Sequence, residues 1–216
     1  MYYSAITKTS NEDYPGKICG VVYTKGCNLN CAYCFSKETL GTQLISQDEV
    51  FSFLKSRIGK LDAICISGGE PTIYKDLYTF VIRLKMLGFM VKLDTNGTNP
   101  EVLEEVLPVL DYVAMDIKAP IHRYEEIVGC SVDTRKIEKS IKLISESGVD
   151  HEFRTTLVPG LTGEDIHEIS KSVAGCRKFV IQLHREEAEP QSKESVFAIM
   201  EELRRNPECE YCARGL

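Results

Sequence analysis

The chain has 216 residues, 43% of them hydrophobic, with a formal net charge of −6. This suits one globular domain with a substantial core and excludes a fibrous or disordered chain. The acidic balance gives no basic footprint for nucleic acid, and no apolar run reaches the ~20 residues of a membrane span. The opening MYYSAITKTS lacks the layout of a signal peptide, so a cytoplasmic enzyme is expected.

Apolar and β-branched runs at 18–24, 63–66, 90–93, 112–117, 153–158 and 179–183 predict six strands buried on both faces. Amphipathic helical patterns lie between them. Ser46 and Glu49 form a capping box ahead of Val50, Leu54 and Ile58. Leu77, Phe80, Val81, Leu84 and Leu87 share a stripe that Gly88 can close. Pro100 opens a helix carrying Val102, Leu103 and Val106. Ile137, Ile141 and Ile144 mark another, Thr162 caps one bearing Ile166, Ile169 and Val173, and Val196, Met200 and Leu203 define the last. Strands alternating with helices predict an α/β fold with a curved, mostly parallel sheet, open or partly barrel-like, with sites at the carboxyl ends of its strands. Residues 1–205 are read as one domain. Residues 185–195 read as a polar surface loop, and 206–216 as a C-terminal appendage with a C-x2-C pair, Cys209 and Cys212.

Nine cysteines are many for such a chain. With no secretory signal, the clustered ones point to metal rather than disulfides, and Cys19, Cys65, Cys130 and Cys176 read as small hydrophobes or incidental thiols. Gly26 to Phe35 reads GCNLNCAYCF, which spaces Cys27, Cys31 and Cys34 as C-x3-C-x2-C. Zinc sites and ferredoxin-type clusters take four protein ligands. Three thiolates around a cubane leave one iron open. From the triplet alone, a structural zinc site completed by Cys209 or Cys212 also stays open.

Further polar groups fall at predicted strand ends. Ser67-Gly68-Gly69-Glu70-Pro71 follows the second strand; its glycines permit close backbone approach to a ligand, and its Glu could equally cap the next turn. Leu93-Asp94-Thr95-Asn96-Gly97 ends the third. Met115-Asp116-Ile117-Lys118 ends the fourth, where alternation puts Asp116 and Lys118 on one face as a pair. Arg154 lies in the fifth strand and His184 follows the sixth. His122, His151 and His167 read as surface residues.

The cysteine triplet, with Tyr33 as the aromatic residue before the last Cys, resembles the signature of the radical S-adenosylmethionine superfamily. GGEP follows at the distance seen in that family. The resemblance implies a partial (β/α)6 barrel and a [4Fe–4S] cluster on Cys27, Cys31 and Cys34. It also implies S-adenosylmethionine on the fourth iron, split reductively to a 5′-deoxyadenosyl radical. LDTNG and MDIKAP, with Asp13-Tyr14-Pro15-Gly16-Lys17 ahead of the first strand, resemble glycyl-radical-enzyme activases, in particular those of anaerobic ribonucleotide reductase. That likeness implies ligand contacts from Gly68, Gly69 and Glu70 and a carboxylate contact from Lys118. It implies a monovalent cation near Asp94, Thr95 and Asp116, a role for Arg154 in contacting the cofactor or orienting a peptide substrate, and a ribose contact for His184. The implied partners are a glycyl-radical enzyme, most closely anaerobic ribonucleotide reductase, and an electron donor such as flavodoxin or ferredoxin. The sequence REEAE after His184 and the C-terminal cysteine pair depart from the family pattern. A radical enzyme acting on a small metabolite or peptide shares the same residues. A non-enzymatic zinc or iron–sulfur scaffold leaves the polar strand ends unexplained. The short chain leaves little sequence to enclose a small substrate, which favours a protein loop as the target.

Overall fold

A computed structural model describes residues 1–34, 44–183, 190–205 and 209–215, those of 190–195 by backbone alone. Eight strands form one mostly parallel sheet in chain order: β1 (Tyr3–Ser10), β2 (Cys19–Thr24), β3 (Ala63–Gly68), β4 (Met90–Thr95), β5 (Tyr112–Asp116), β6 (Asp150–Leu157), β7 (Lys178–Leu183) and β8 (Glu210–Arg214). The α/β class is as expected, with two strands more than the sequence suggested. The described helices are α1 (Gln47–Ser56), α2 (Leu77–Met86), α3 (Pro100–Val106), α4 (Tyr124–Val128), α5 (Thr134–Glu146), α6 (Gly163–Ser172) and α7 (Pro190–Arg204). Among the described residues no helix is long and apolar enough to cross a membrane.

The chain forms two compact units. One comprises Met1–Asn28, Cys34–Thr95 and Asn99–Val113; the other comprises Leu29–Tyr33, Asn96–Thr98 and Ala114–Leu216.

In the first unit β2, β3 and β4 run parallel, and β1 pairs antiparallel with β2. Val21, Val22, Ile64, Ile66, Val91 and Leu93 are fully buried, which is why these strands read as unbroken apolar runs. The Ser46–Glu49 capping box is present in both directions at the start of α1. β1 escaped the sequence reading because YSAITKTS is largely polar, as suits a strand bordered by a single neighbour.

In the second unit β6, β7 and β8 are parallel. The expectation of an appendage after Asn206 is corrected: Glu210–Arg214 is a strand whose Arg214 reaches Glu152 of β6. Its guanidinium donates to both carboxylate oxygens, at 2.8 and 2.7 Å, and the Glu152 side chain has no exposed surface. The reading of 185–195 as loop is corrected from Pro190 onward, where α7 begins; residues 184–189 lie outside the described residues. The five polar residues after Pro190 hide α7 in the sequence, while Pro190 at its first position is a legitimate helix start. His151 is also corrected. It is buried, its Nδ1 lies 2.9 Å from the Val149 carbonyl and its ring packs on Phe153.

Removing Arg214 would strand a buried carboxylate. Arg214→Ala should lower unfolding free energy by about 2–4 kcal/mol. That is under the full cost for a buried pair, because Arg214 is a third exposed and Arg154 lies 4.0 Å from Glu152. Urea unfolding measures it, and Glu152→Leu combined with Arg214→Met should recover most of the loss. Equal losses in the single and double variants would show that Glu152 needs no partner.

Candidate active site

In the first unit β2 runs on into Lys25, Gly26 and Cys27. The parallel register sets Thr24 opposite Gly68, and the Gly-Gly-Glu turn binds directly to the outgoing β2 chain. Gly69 N–H donates to the Thr24 carbonyl at 2.9 Å and Glu70 N–H to the Gly26 carbonyl at 2.8 Å. The Tyr74 hydroxyl donates to the Lys25 carbonyl. Gly68 has φ +109°, and a Cβ there would lie 2.5 Å from the Thr24 carbonyl oxygen; one on Gly69 would overlap the Gly26 carbonyl. These glycines let the turn pack directly on the chain that leads from β2 to Cys27.

The Glu70 carboxylate is fully buried. It accepts from the Thr72 N–H at 3.0 Å, the Thr72 hydroxyl at 2.5 Å and the Thr95 hydroxyl at 2.8 Å. It thereby caps the short 3-10 turn Pro71–Ile73. The capping carboxylate that the sequence allowed is present.

Asp94 accepts from the Ser67 hydroxyl at 3.1 Å and lies 3.4 Å from the Lys92 ammonium. Lys92 was not singled out in the sequence, yet it is almost completely buried. Its Nζ donates to the Asp13 carbonyl at 2.6 Å and sits 5.5 Å from the Tyr112 ring centre. The Asp-Tyr-Pro-Gly-Lys segment thus covers a buried lysine, and Tyr14 packs on Tyr112 at 5.6 Å. The available signal was alternation: Lys92 and Asp94 are two apart in one strand and share a face.

In the second unit, Leu29–Tyr33 is tied to α4 by the Asn30 N–H, which donates to the Val128 carbonyl at 3.2 Å. Lys118 Nζ donates to Asp116 at 3.0 Å, and Arg154 Nε donates to the other oxygen of the same carboxylate at 2.7 Å. The Lys118 N–H donates to the Tyr124 hydroxyl at 3.3 Å. Lys118 and Asp116 keep only 16% and 26% of their side-chain surface, so this pair is largely shielded from solvent. Burial alone would raise the Asp116 carboxyl, but the charges of Arg154 and Lys118 outweigh it and hold that group well below the usual carboxylate range. Burial would likewise lower Lys118. Asp116, with Tyr33 and Cys31 also close, overcomes that and holds the ammonium above its ordinary value. Tyr33 and Tyr124 are pushed up by burial and stay neutral.

The pairing of Asp116 with Lys118 is as the sequence indicated. Arg154 joins it, and Arg154 leads on to Glu152 and Arg214. Of the residues expected near a monovalent cation, Asp94 lies beside Lys92, the Thr95 hydroxyl donates to Glu70, and Asp116 accepts from Lys118 and Arg154. His184 lies outside the described residues.

Cys27 is exposed, Cys31 buried and Cys34 half-buried, and none is in a disulfide. Three thiols within eight residues are a fitting donor set for an iron–sulfur cluster. Among the described residues no three His, Cys, Asp or Glu side chains already stand close enough to hold a metal ion.

The profile of the Radical SAM superfamily matches residues 21–173. A Methanocaldococcus jannaschii protein, provisionally named as a glycyl-radical enzyme activating enzyme, is 40% identical over 189 residues, covering 83% of this chain and 78% of that protein. A 7-carboxy-7-deazaguanine synthase of Thermococcus kodakarensis is 28% identical over 180 residues, covering 73% and 70%. Streptococcus suis SuiB, solved bound to S-adenosylmethionine, shares the fold with a TM-score of 0.71 at 16% identity, over 90% of this chain; the chain spans about half that protein's length, 50%. A cysteine loop leaving one parallel strand, a Gly-Gly-Glu turn bound to it and a profile match that takes in β2 to β6 lead to one conclusion: the chain belongs to the radical S-adenosylmethionine superfamily, enzymes that work with a [4Fe–4S] cluster and S-adenosylmethionine.

Proposed function

We propose that Cys27, Cys31 and Cys34 hold the cluster, that Lys118 receives the carboxylate of S-adenosylmethionine, and that the chain installs a glycyl radical on a partner enzyme, an anaerobic ribonucleotide reductase. The observation that carries this reading is the Lys118 ammonium. It is largely buried, fixed by Asp116, and within electrostatic reach of Cys31 and Tyr33 in the cysteine loop. When bound, the reduced cluster and S-adenosylmethionine supply a 5′-deoxyadenosyl radical. The chain's own part is to orient and to shield. Lys118 and Arg154 present positive charge to an anionic group. Asp116 keeps both in place. The Gly68–Gly69 backbone offers contacts to the amino end of the ligand, since the Glu70 side chain is occupied by Thr72 and Thr95. A one-electron donor of the flavodoxin or ferredoxin kind serves the cluster.

The partner assignment draws on the M. jannaschii relative. A glycine is a chemically apt target, because its Cα radical is stabilised between an amide nitrogen and a carbonyl. The T. kodakarensis synthase supports a second reading, a small-molecule substrate. One experiment separates them. The chain, reductant, S-adenosylmethionine and an anaerobic ribonucleotide reductase are mixed under nitrogen and the electron paramagnetic resonance spectrum is recorded. A doublet should appear and collapse when the reductase glycines carry deuterium at Cα. Cofactor cleavage with no protein radical would transfer the assignment to a small molecule.

A further inference from the structure

The sequence draws the eye to Cys209 and Cys212 as a C-x2-C pair, but the fold separates them. Cys212 lies within β8 opposite Val180, and its thiol donates to Glu210 Oε1 at 3.2 Å. Cys209 stands outside that strand.

Cys209 has a different neighbour. It stands immediately before β8, while Cys176 stands two residues before β7, on the turn that follows α6. The two approaches are joined by the Glu210 N–H, which donates to the Arg177 carbonyl at 3.2 Å, and by the register of Lys178 with Glu210. Cys209 thus comes up beside Cys176, and after burial its thiol is the next group that pushes the Cys176 thiol up. Cys176 is buried, with its own N–H donating to the Val173 carbonyl at 3.0 Å, whereas Cys209 is half-buried and reachable from solvent.

We propose that Cys176 and Cys209 form a redox site, a dithiol that closes to a disulfide by exchange with a small-molecule disulfide. The thiolate of Cys209, the more accessible sulfur, attacks one sulfur of the small disulfide and expels a small thiolate. The sulfur of Cys176 then attacks Cys209 and expels the second. Two protein thiols are oxidised, the small disulfide is reduced to two thiols, and the two protein protons pass to them. Burial pushes the Cys176 thiol up, so Cys209 rather than Cys176 makes the first attack. The bond would staple the start of β8 to the start of β7, and so hold the strand that carries Arg214 to Glu152.

The test uses the full chain with its cluster reconstituted, equilibrated anaerobically in mixtures of reduced and oxidised glutathione. The protein is quenched in acid, alkylated, cut with trypsin and mapped by mass spectrometry. As oxidised glutathione rises, the peptide of residues 172–177 should become linked to that of residues 206–214, with Cys212 still alkylated. Cys212→Ser should leave the linkage intact and Cys209→Ser should abolish it. A bond within the 206–214 peptide, or full alkylation of Cys176 and Cys209 across the whole series, would overturn the proposal.

Discussion

Cys31→Ala should leave the protein without its four-iron cluster and reduce S-adenosylmethionine cleavage to background. Anaerobic reconstitution of the unaltered chain should give about four irons and four sulfides, the cubane stoichiometry. A cubane with three protein thiolates loses a corner when any one is removed, so Cys27→Ala and Cys34→Ala should match the Cys31 variant. Cys19→Ala is the control. Cys19 is fully buried in β2 and its thiol is pushed up to about 11, chiefly by burial, so it offers no thiolate at neutral pH. Iron and sulfide analysis with the visible absorption spectrum reads the result. Stable zinc uptake without iron would return the triplet to a structural role.

The second large effect is expected at Lys118. Lys118→Ala should weaken S-adenosylmethionine binding by about 1.5–3 kcal/mol, the scale of a charged hydrogen bond, with iron content unchanged. Equilibrium dialysis of the reconstituted protein measures both. Unchanged affinity would place the ligand carboxylate elsewhere. The pH dependence follows from the directions of the shifts. The Asp116 carboxyl lies below its unfolded value, so its contribution is present above ~3.9 and fades only as pH falls toward the folded value. The Lys118 ammonium lies above its unfolded value, so its contribution is complete below ~10.4 and fades only as pH rises past that. Both groups are charged throughout the range between, and affinity should be flat from about pH 6 to 9 as far as this pair is concerned. A midpoint inside that window, lost in Asp116→Asn, would show that the pair titrates there.

The parts of this fold that the sequence displays are those with local causes. Val21, Val22, Ile64, Ile66, Val91 and Leu93 are buried between layers, and their unbroken apolarity announces strands. Ser46 and Glu49 cap α1 three residues apart. Asp116 and Lys118 meet because two residues along a strand face the same way. What stays hidden depends on distant partners or on exposure. β1 and β8 are short of apolar residues because each has only one strand beside it. Lys92 reads as an ordinary charged residue until Asp13, 79 residues away, is seen to cover it. Glu152 in a buried strand reads as a misfit until Arg214, 62 residues on, is seen to donate to both its oxygens. For the Gly-Gly-Glu turn the sequence allows a ligand or a cap, and only the hydrogen bonds of Glu70 identify the cap.

The coincidence of strand order and chain order bears on how the protein is made. Each new strand finds its neighbour already synthesised, so the sheet can grow by addition at one edge as the chain leaves the ribosome, without waiting for distant segments. β8 joins last among the described strands, and it alone brings Arg214. Until it emerges, the nascent sheet presents the unpaired edge of β7 and the Glu152 carboxylate lacks its guanidinium. A chain cut short before β8 should therefore leave an open strand edge on β7, the kind of surface that chaperones bind and that aggregates when they do not.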